Sequence, residues 1–202
     1  MRVLEIGAGG TSFADWFWPE VTLTSYSEAG GTSAEDLKYG DNSFDLIIAK
    51  DVLHHLKNIP KAFKEFQRVL SNRGLVIASE PSWSLLGRFV YKYLHEEPWE
   101  VNKDFIIDST DPWYSNQALI WNLLRLEPDE RRQILSGFEI KVIGSTYGFS
   151  YLLSGGVHST TKISSKLLLR LHILAKKFPL KLDSLWSLNR IILMRKFPVH
   201  EE

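Results

Sequence analysis

The chain has 202 residues, 44% of them hydrophobic, which suits one α/β domain with a well-filled core. Its 24 basic residues balance 24 acidic ones, which excludes recruitment of nucleic acid by overall charge. It has no cysteine, which excludes a disulfide framework and a thiolate metal site or nucleophile. We find no secretory signal and no run of the ~18 apolar residues that a membrane-spanning helix needs, so we expect a cytoplasmic protein.

The chain opens with a short apolar strand that runs into glycines. The strand is predicted over Val3–Ile6 and contains one acid, Glu5, before Gly7 and Gly9. Because these glycines have no Cβ, the backbone can turn sharply and approach a ligand closely. Open parallel sheets bind their ligands at this carboxyl edge. A dinucleotide fingerprint would need a third glycine where Ser12 stands, which disfavours a nicotinamide-dependent oxidoreductase.

Strand and helix patterns alternate along the rest of the chain, which is typical of an α/β protein. The predicted strands cover residues 21–26, 44–49, 75–79, 138–143 and 190–195, and the predicted helices cover residues 11–18, 58–70, 83–95, 115–126, 128–135, 163–177 and 182–188. Residues 71–74 are predicted to end a helix. Residues 96–114 have no clear period and are predicted to form a long loop, of the length that functional loops and lids commonly have.

Three stretches resemble class I S-adenosylmethionine-dependent methyltransferases, in particular the small-molecule, ubiquinone- and menaquinone-methyltransferase-like superfamily. They are the opening hydrophobic-Leu-Glu-Ile-Gly-x-Gly pattern, the run over residues 33–48, and the continuous block over residues 44–81, which includes the pair His54 and His55. The resemblance implies a Rossmann-like, mostly parallel sheet with an antiparallel last strand and helices on both faces, shortened here after the second strand. It also implies S-adenosylmethionine as the cofactor.

The resemblance assigns the cofactor to residues at the carboxyl edge of the sheet. The implied cofactor-binding residues are Glu5, Gly7, Ala8, Gly9, Ser25, Glu28, Ser33, Ala34, Glu35 and Lys50. Two positions depart from the family. Ser25 or Glu28 stands where an acid usually binds the ribose hydroxyls, and Ser33 stands where an acid usually contacts the adenine amino group. A charge-assisted hydrogen bond is roughly twice as strong as a neutral one, so weak cofactor binding is one expectation. For Lys50, a place in a solvated turn without cofactor contact is an equally good interpretation.

Methyl transfer from a sulfonium depends on positioning and exclusion of water more than on a dedicated catalytic group. A base helps when the acceptor is a hydroxyl, and histidine titrates nearest to neutrality. His55 is therefore the first catalytic candidate, with His54 behind it, although either histidine alone could cap a helix or bond a loop. Glu80 either faces the acceptor or pairs with a nearby base. The further acceptor-binding candidates are Trp83, His95, Trp113 and Tyr151, and no metal is predicted.

We interpret residues 1–202 as a single methyltransferase-like domain with an insertion or lid over roughly residues 82–135. Within that insertion, the run from His95 to Trp99 resembles a bacterial branch of small-molecule methyltransferases. Its many aromatic residues suit either core packing or an aromatic-lined acceptor pocket. Methyltransferases normally carry helices ahead of the first strand that cap the cofactor. This chain begins at that strand, so we expect the cap to be missing or to come from elsewhere.

The leading hypothesis is a methyltransferase acting on a small molecule, with lipids and sugars among the candidate acceptors. The first alternative is a methyltransferase-like domain that no longer catalyses and instead binds a ligand or partner, and the second is an NAD-dependent oxidoreductase. Residues 162–177 combine leucines with lysines. That segment is a candidate for peripheral contact with an anionic membrane, or it packs its leucines on the sheet.

Overall fold

The structure, a computed structural model, describes residues 1–7, 21–24, 33–108, 114–147 and 183–196, with six further positions between 164 and 173. Its elements in chain order are β1 (Val3–Ile6), β2 (Val21–Thr24), β3 (Phe44–Lys50), a 3-10 turn (Leu53–His55), α1 (Ile59–Val69), β4 (Leu70–Pro81), α2 (Leu85–Tyr93), α3 (Leu119–Leu124), α4 (Pro128–Ile134), β5 (Phe138–Tyr147), α5 (Asp183–Trp186) and β6 (Ser187–Lys196). The predicted helix over residues 11–18 and most of the one over 163–177 lie outside the described residues. Among the described residues, no helix combines the length and the apolar character needed to cross a bilayer.

The described strands form one sheet of six strands in the order β2-β1-β3-β4-β6-β5. Strand β1 is parallel to β2 and β3, and β3 is parallel to β4, whereas β6 lies between β4 and β5 and runs antiparallel to both. This confirms the predicted mostly parallel sheet with an antiparallel last strand. In the described part of the chain β2 is an edge strand, as expected of a sheet shortened after its second strand.

Both faces of the central strands are buried, which explains their nearly continuous apolar sequence. On one face Leu4, Ile47 and Ala49 join a core that also receives the buried faces of α1 and α3, with the partly buried Ile134 of α4 packed against it. On the other face Val3 and Ile48 belong to a second, smaller buried cluster. The alternation of side chains along each strand therefore fixes the register of the sheet.

One predicted boundary is wrong at the start of β4. Residues 71–74 were expected to be a turn after a helix, but β4 begins at Leu70, directly after α1. Leu70 pairs with Phe44, and the next pair joins Leu46 to Leu75, so residues 71–74 form an irregularity within the strand. Such bulges depend on pairing with a neighbouring strand, which local sequence patterns do not reveal.

Two predicted helices are shorter than expected. The helix predicted over residues 115–126 covers only α3, because the Asn116 side chain accepts hydrogen bonds from the backbone of Glu100 and Ala118 before the helix starts. The helix predicted over residues 182–188 is α5, which ends where Ser187 opens β6. Ser187 pairs with β5 and its hydroxyl lies 2.8 Å from that of Ser82, so tertiary contacts pull this residue into the sheet.

Gly7 offers a direct test of the turn that ends β1. Its φ is +70°, and a Cβ at this position would lie 2.3 Å from Cγ2 of Val52. We expect Gly7→Ala to lower the free energy of unfolding by about 2–5 kcal/mol, from left-handed strain and overpacking together. Chemical denaturation would measure the change. Gly40→Ala is the matched control, because the nearest atom there is 3.5 Å away. Equal stabilities of the two variants would contradict the prediction.

Candidate active site at the carboxyl edge of the sheet

The parallel strands β1, β3 and β4 all end at one edge of the sheet, where the sequence places most of its polar candidates. Gly7 follows β1, Lys50 ends β3 and Glu80 lies at the end of β4. The exposed Lys50 ammonium pairs with Asp51 at 2.8 Å. Asp51 has a φ of +51° and its backbone N–H donates to the carbonyl of Ser79. This edge is therefore held by a tight turn after β3.

The predicted cofactor residues occupy different environments. Glu5 is buried in β1. The Ser33 hydroxyl accepts a hydrogen bond from the N–H of Glu35 at 3.1 Å. Ala34 is buried in the main core. One carboxylate oxygen of Glu35 accepts the N–H groups of residues 57 and 58, at 3.1 and 2.8 Å, and so anchors the segment before α1. Contact of these residues with the cofactor stays a prediction.

The candidates Ala8, Gly9, Ser25, Glu28, Trp113 and Tyr151 lie outside the described residues.

A buried carboxylate organises the turn that carries the two histidines. Glu80 is fully buried and accepts the N–H groups of Val52 at 3.0 Å and Leu53 at 2.7 Å. Its other oxygen lies 2.6 Å from Nδ1 of His54. The first N–H groups of a helical turn have no partner within it, so this acid satisfies donors that would otherwise be buried alone. Of the two sequence interpretations of Glu80, the structure shows the pairing with a nearby base.

His54 is buried between two acids. Its Nε2 lies 3.3 Å from Oε2 of Glu97, on the side opposite Glu80. Burial opposes protonation of the ring, but Coulomb attraction to Glu80 and Glu97 and the hydrogen bonds that His54 donates to them outweigh it and raise the pKa of His54 to about 10. The hydrogen bond from His54 in turn holds the pKa of Glu97 at about 2. His54 is therefore a charged, fixed group rather than a free base.

His55 has the opposite electrostatic character. Its side chain is 35% exposed, and its Nδ1 lies 3.1 Å from the carbonyl oxygen of Tyr114. A carbonyl can only accept, so Nδ1 carries the hydrogen and Nε2 keeps its lone pair. Burial and the neighbouring charge of His54 lower the pKa of His55 below its ordinary value. The two histidines that the sequence singled out are thus adjacent, with ring centres 4.3 Å apart, but chemically distinct.

The predicted insertion supplies residues that the sequence did not select. Glu97 lies between the two histidines, and its Oε1 is 3.8 Å from Nε2 of His55. The buried Gln117 amide donates to Glu97 and lies 3.3 Å from Nε2 of His54. The His95 ring accepts the N–H of Glu97 at 3.3 Å. The available signal was the His-x-Glu-Pro-Trp run itself, in which an acid follows a histidine at a fixed spacing.

The predicted aromatic residue Trp83 belongs to a stacked group. Its ring lies 4.5 Å from that of Trp99, which in turn lies 5.6 Å from Tyr91 on α2. Trp121 is 6.0 Å from Trp83, and the guanidinium of Arg88 lies over the Trp83 ring at 4.7 Å. These rings cover one another, so in the described residues they fasten the loop to α2 as packing. Acceptor binding by Trp83 and His95 stays a prediction.

Parts of the chain are similar in sequence to known proteins. Residues 28–78 match the family model of a methyltransferase domain. The uncharacterized methyltransferase YcgJ of Bacillus subtilis is 32% identical over a stretch covering 44% of this chain and 45% of that protein. The uncharacterized protein MJ0638 of Methanocaldococcus jannaschii is 37% identical over 41% of this chain and 37% of its own length. The matches thus span less than half the length of these curated relatives.

Solved structures extend the likeness to nearly the whole chain. A SAM-dependent methyltransferase from Archaeoglobus fulgidus has a TM-score of 0.52 at 14% identity, covering 96% of this chain and 86% of its own. The structure of YcgJ from Bacillus subtilis has a TM-score of 0.51 at 18% identity, covering 96% of this chain and 91% of its own. At such identities the likeness establishes the fold, and the fold expected from the sequence is confirmed.

The buried ion pair under the histidine turn should contribute strongly to stability. We expect Glu80→Ala to lower the free energy of unfolding by about 3–5 kcal/mol, because it removes one of the two acids beside the buried His54 ring and leaves the N–H groups of Val52 and Leu53 without their acceptor. Glu35→Ala is the matched control, since Glu35 also accepts two backbone N–H groups but contacts no histidine among the described residues. Urea denaturation of both variants measures the difference. A loss no larger in Glu80→Ala than in Glu35→Ala would contradict this role.

Proposed function

We propose that this chain is a class I S-adenosylmethionine-dependent methyltransferase that transfers a methyl group to a small molecule, which its fold and the family match over residues 28–78 support. The observation that carries the proposal is the edge formed by Gly7, the turn after β3 and His55. There a close-approach turn and an available imidazole lone pair lie at the ends of adjacent parallel strands. Lipids and sugars that carry a hydroxyl are the proposed acceptor classes.

The cofactor would lie along the ends of β1 and β3. Gly7 fits this role because its left-handed turn, which has room for no Cβ beside Val52, carries the backbone across the carboxyl end of β1. Ser33 would meet the adenine group through its hydroxyl. When bound, S-adenosylmethionine supplies an electrophilic methyl group. Gly9, Ser25 and Glu28 complete the proposed cofactor residues from outside the described part of the chain.

The chain's own residues would act mainly by positioning. His54, locked between Glu80 and Glu97, holds the turn, and the Tyr114 carbonyl fixes the tautomer of His55. The Nε2 lone pair of His55 would accept the proton that a hydroxyl acceptor loses as its oxygen bonds to the methyl carbon. The buried insertion residues Asn116 and Gln117 pack against this turn, with the Asn116 N–H donating to the His54 carbonyl at 2.8 Å. They would help to exclude water from the acceptor.

Calorimetric titration with S-adenosylmethionine and S-adenosylhomocysteine tests the cofactor site. We expect one micromolar site per chain. We also expect Ser33→Asp to tighten binding by up to about tenfold, since a charge-assisted hydrogen bond replaces a neutral one. Ser33→Asn, which matches the shape of aspartate without its charge, should bind as the wild type does. A folded wild-type chain that binds neither compound would overturn the proposal and favour a non-catalytic binding domain.

Replacement of His55 tests the catalytic assignment. We expect His55→Ala to lower kcat by about 10²–10⁴, the range typical for loss of a positioned base, and to leave the cofactor Kd unchanged. Acceptor panels of hydroxylated lipids and sugars, assayed by transfer of a radioactive methyl group, supply the rate. An unchanged kcat would remove His55 from the chemistry, and a raised cofactor Kd would place it in the cofactor site instead.

A further inference from the structure

Three side chains at this edge point metal-ligating atoms at one another. Among the described residues, His54, His55 and Glu97 each offer one such atom, and these atoms all lie within 4.8 Å of one another. His54 Nε2 lies 3.3 Å from Oε2 of Glu97, and His55 Nε2 lies 3.8 Å from Oε1 of the same carboxylate. Two atoms that share a tetrahedral zinc ion at about 2.0–2.1 Å lie about 3.3–3.4 Å apart. The distance from His54 to Glu97 matches this separation, and the distance from His55 to Glu97 is longer.

The other nitrogen of each histidine is held by an acceptor. His54 Nδ1 lies 2.6 Å from the Glu80 carboxylate, and His55 Nδ1 lies 3.1 Å from the Tyr114 carbonyl. Metal-ligating histidines almost always donate their second N–H to a carboxylate or a backbone carbonyl, which fixes the tautomer and leaves the other nitrogen for the ion. Both histidines therefore have the outer partners that ligation by Nε2 requires.

The charges also suit a dication. Glu80 and Glu97 bring two carboxylates to this cluster, and both contact the buried ring of His54. One imidazolium compensates a single negative charge, whereas a divalent ion, on displacing the Nε2 proton of His54 to solvent, compensates two. A buried charge that is left uncompensated is costly, so an ion at this position would stabilise the pair of acids together.

We infer that His54, His55 and Glu97 form a binding site for one divalent transition-metal ion, best matched by Zn²⁺. Two imidazoles and one carboxylate are a common ligand set for zinc sites that keep an open position. His55 and Glu97 are each about one third exposed, at 35% and 31%, so the open position has access from outside. No metal site was predicted from the sequence, because the chain has no cysteine and the two histidines were interpreted as candidate bases.

Gln117 fits the same site as a neighbour. Its side chain is buried, its amide nitrogen donates to Glu97, and its oxygen has no hydrogen-bond partner among the described residues. The amide nitrogen also lies 3.3 Å from His54 Nε2, so Gln117 holds the Glu97 carboxylate beside this ring, as an outer partner of a metal ligand does.

The site gains a catalytic consequence only if the proposed methyl transfer is correct, and this part rests on that proposal. An ion bound by Nε2 of His55 occupies the lone pair that would otherwise serve as the base. A hydroxyl acceptor at the open position would then lose its proton to solvent more easily, just as zinc lowers the pKa of bound water from 15.7 to about 7. Its oxygen would attack the methyl carbon as the carbon–sulfur bond breaks.

Zinc competition with a chromophoric chelator tests the site on the full chain after treatment with EDTA and desalting. We expect one equivalent of Zn²⁺ per chain. We expect His55→Ala and Glu97→Gln to weaken binding by more than about 100-fold, beyond the 10–100-fold that loss of an outer partner typically causes. Glu96→Gln is the matched control, since it removes the same charge from the adjacent position and should bind as the wild type does. Co²⁺ should give a visible absorption band only where the site is intact.

Two results would overturn the inference. One is a wild-type chain that binds no Zn²⁺ while circular dichroism shows it folded; the other is binding that His55→Ala and Glu97→Gln leave unchanged. Titration of the metal-free chain with S-adenosylmethionine separates this inference from the proposed function. Cofactor binding without zinc binding removes the metal site alone, and zinc binding without cofactor binding removes the methyltransferase proposal alone.

Discussion

The buried carboxylate of Glu80 is the contact on which the rest of this edge depends. It lies at the end of β4, yet its partners belong to the turn that follows β3, where it accepts two backbone N–H groups and faces Nδ1 of His54. Adjacent parallel strands bring their carboxyl ends together, so an acid on one strand can satisfy the turn on the next. The orientation of both histidines follows from that pairing.

His54 in turn contacts residues of the segment that follows α2. The ring faces Glu97 through Nε2, the His54 carbonyl accepts the N–H of Asn116, and Gln117 bonds the carbonyl of Pro98. Near the sheet, the start of the predicted loop is held by the contact of Glu97 with His54. The residues that follow the loop, Asn116 and Gln117, are held by hydrogen bonds to His54 and Pro98. A segment held by polar contacts to a buried ion pair loses little freedom when a ligand arrives, which suits a site that must exclude water.

The fold was largely predictable, because it depends on patterns within single elements. The apolar run before Gly7, the helix face of α1 and the strand before Glu80 each show their period over a few residues. The site was only half predictable. His54 and His55 stand out as a pair, but Glu97 and Gln117 meet them across 43 and 63 positions of chain. No local period encodes such contacts, and the same holds for residues 71–74, whose strand conformation comes from pairing with β3.

One lone pair links the two chemistries that this edge supports. Nε2 of His55 faces Glu97 with its partner nitrogen already bonded to the Tyr114 carbonyl, so the ring has one orientation and one free acceptor atom. That atom can accept a proton or ligate an ion, but not both at once. His54 cannot take over the first task, because its two nitrogens are already directed at two acids. Whether the acceptor would be activated by an imidazole or by an ion is thus decided by what occupies the space between His55 and Glu97.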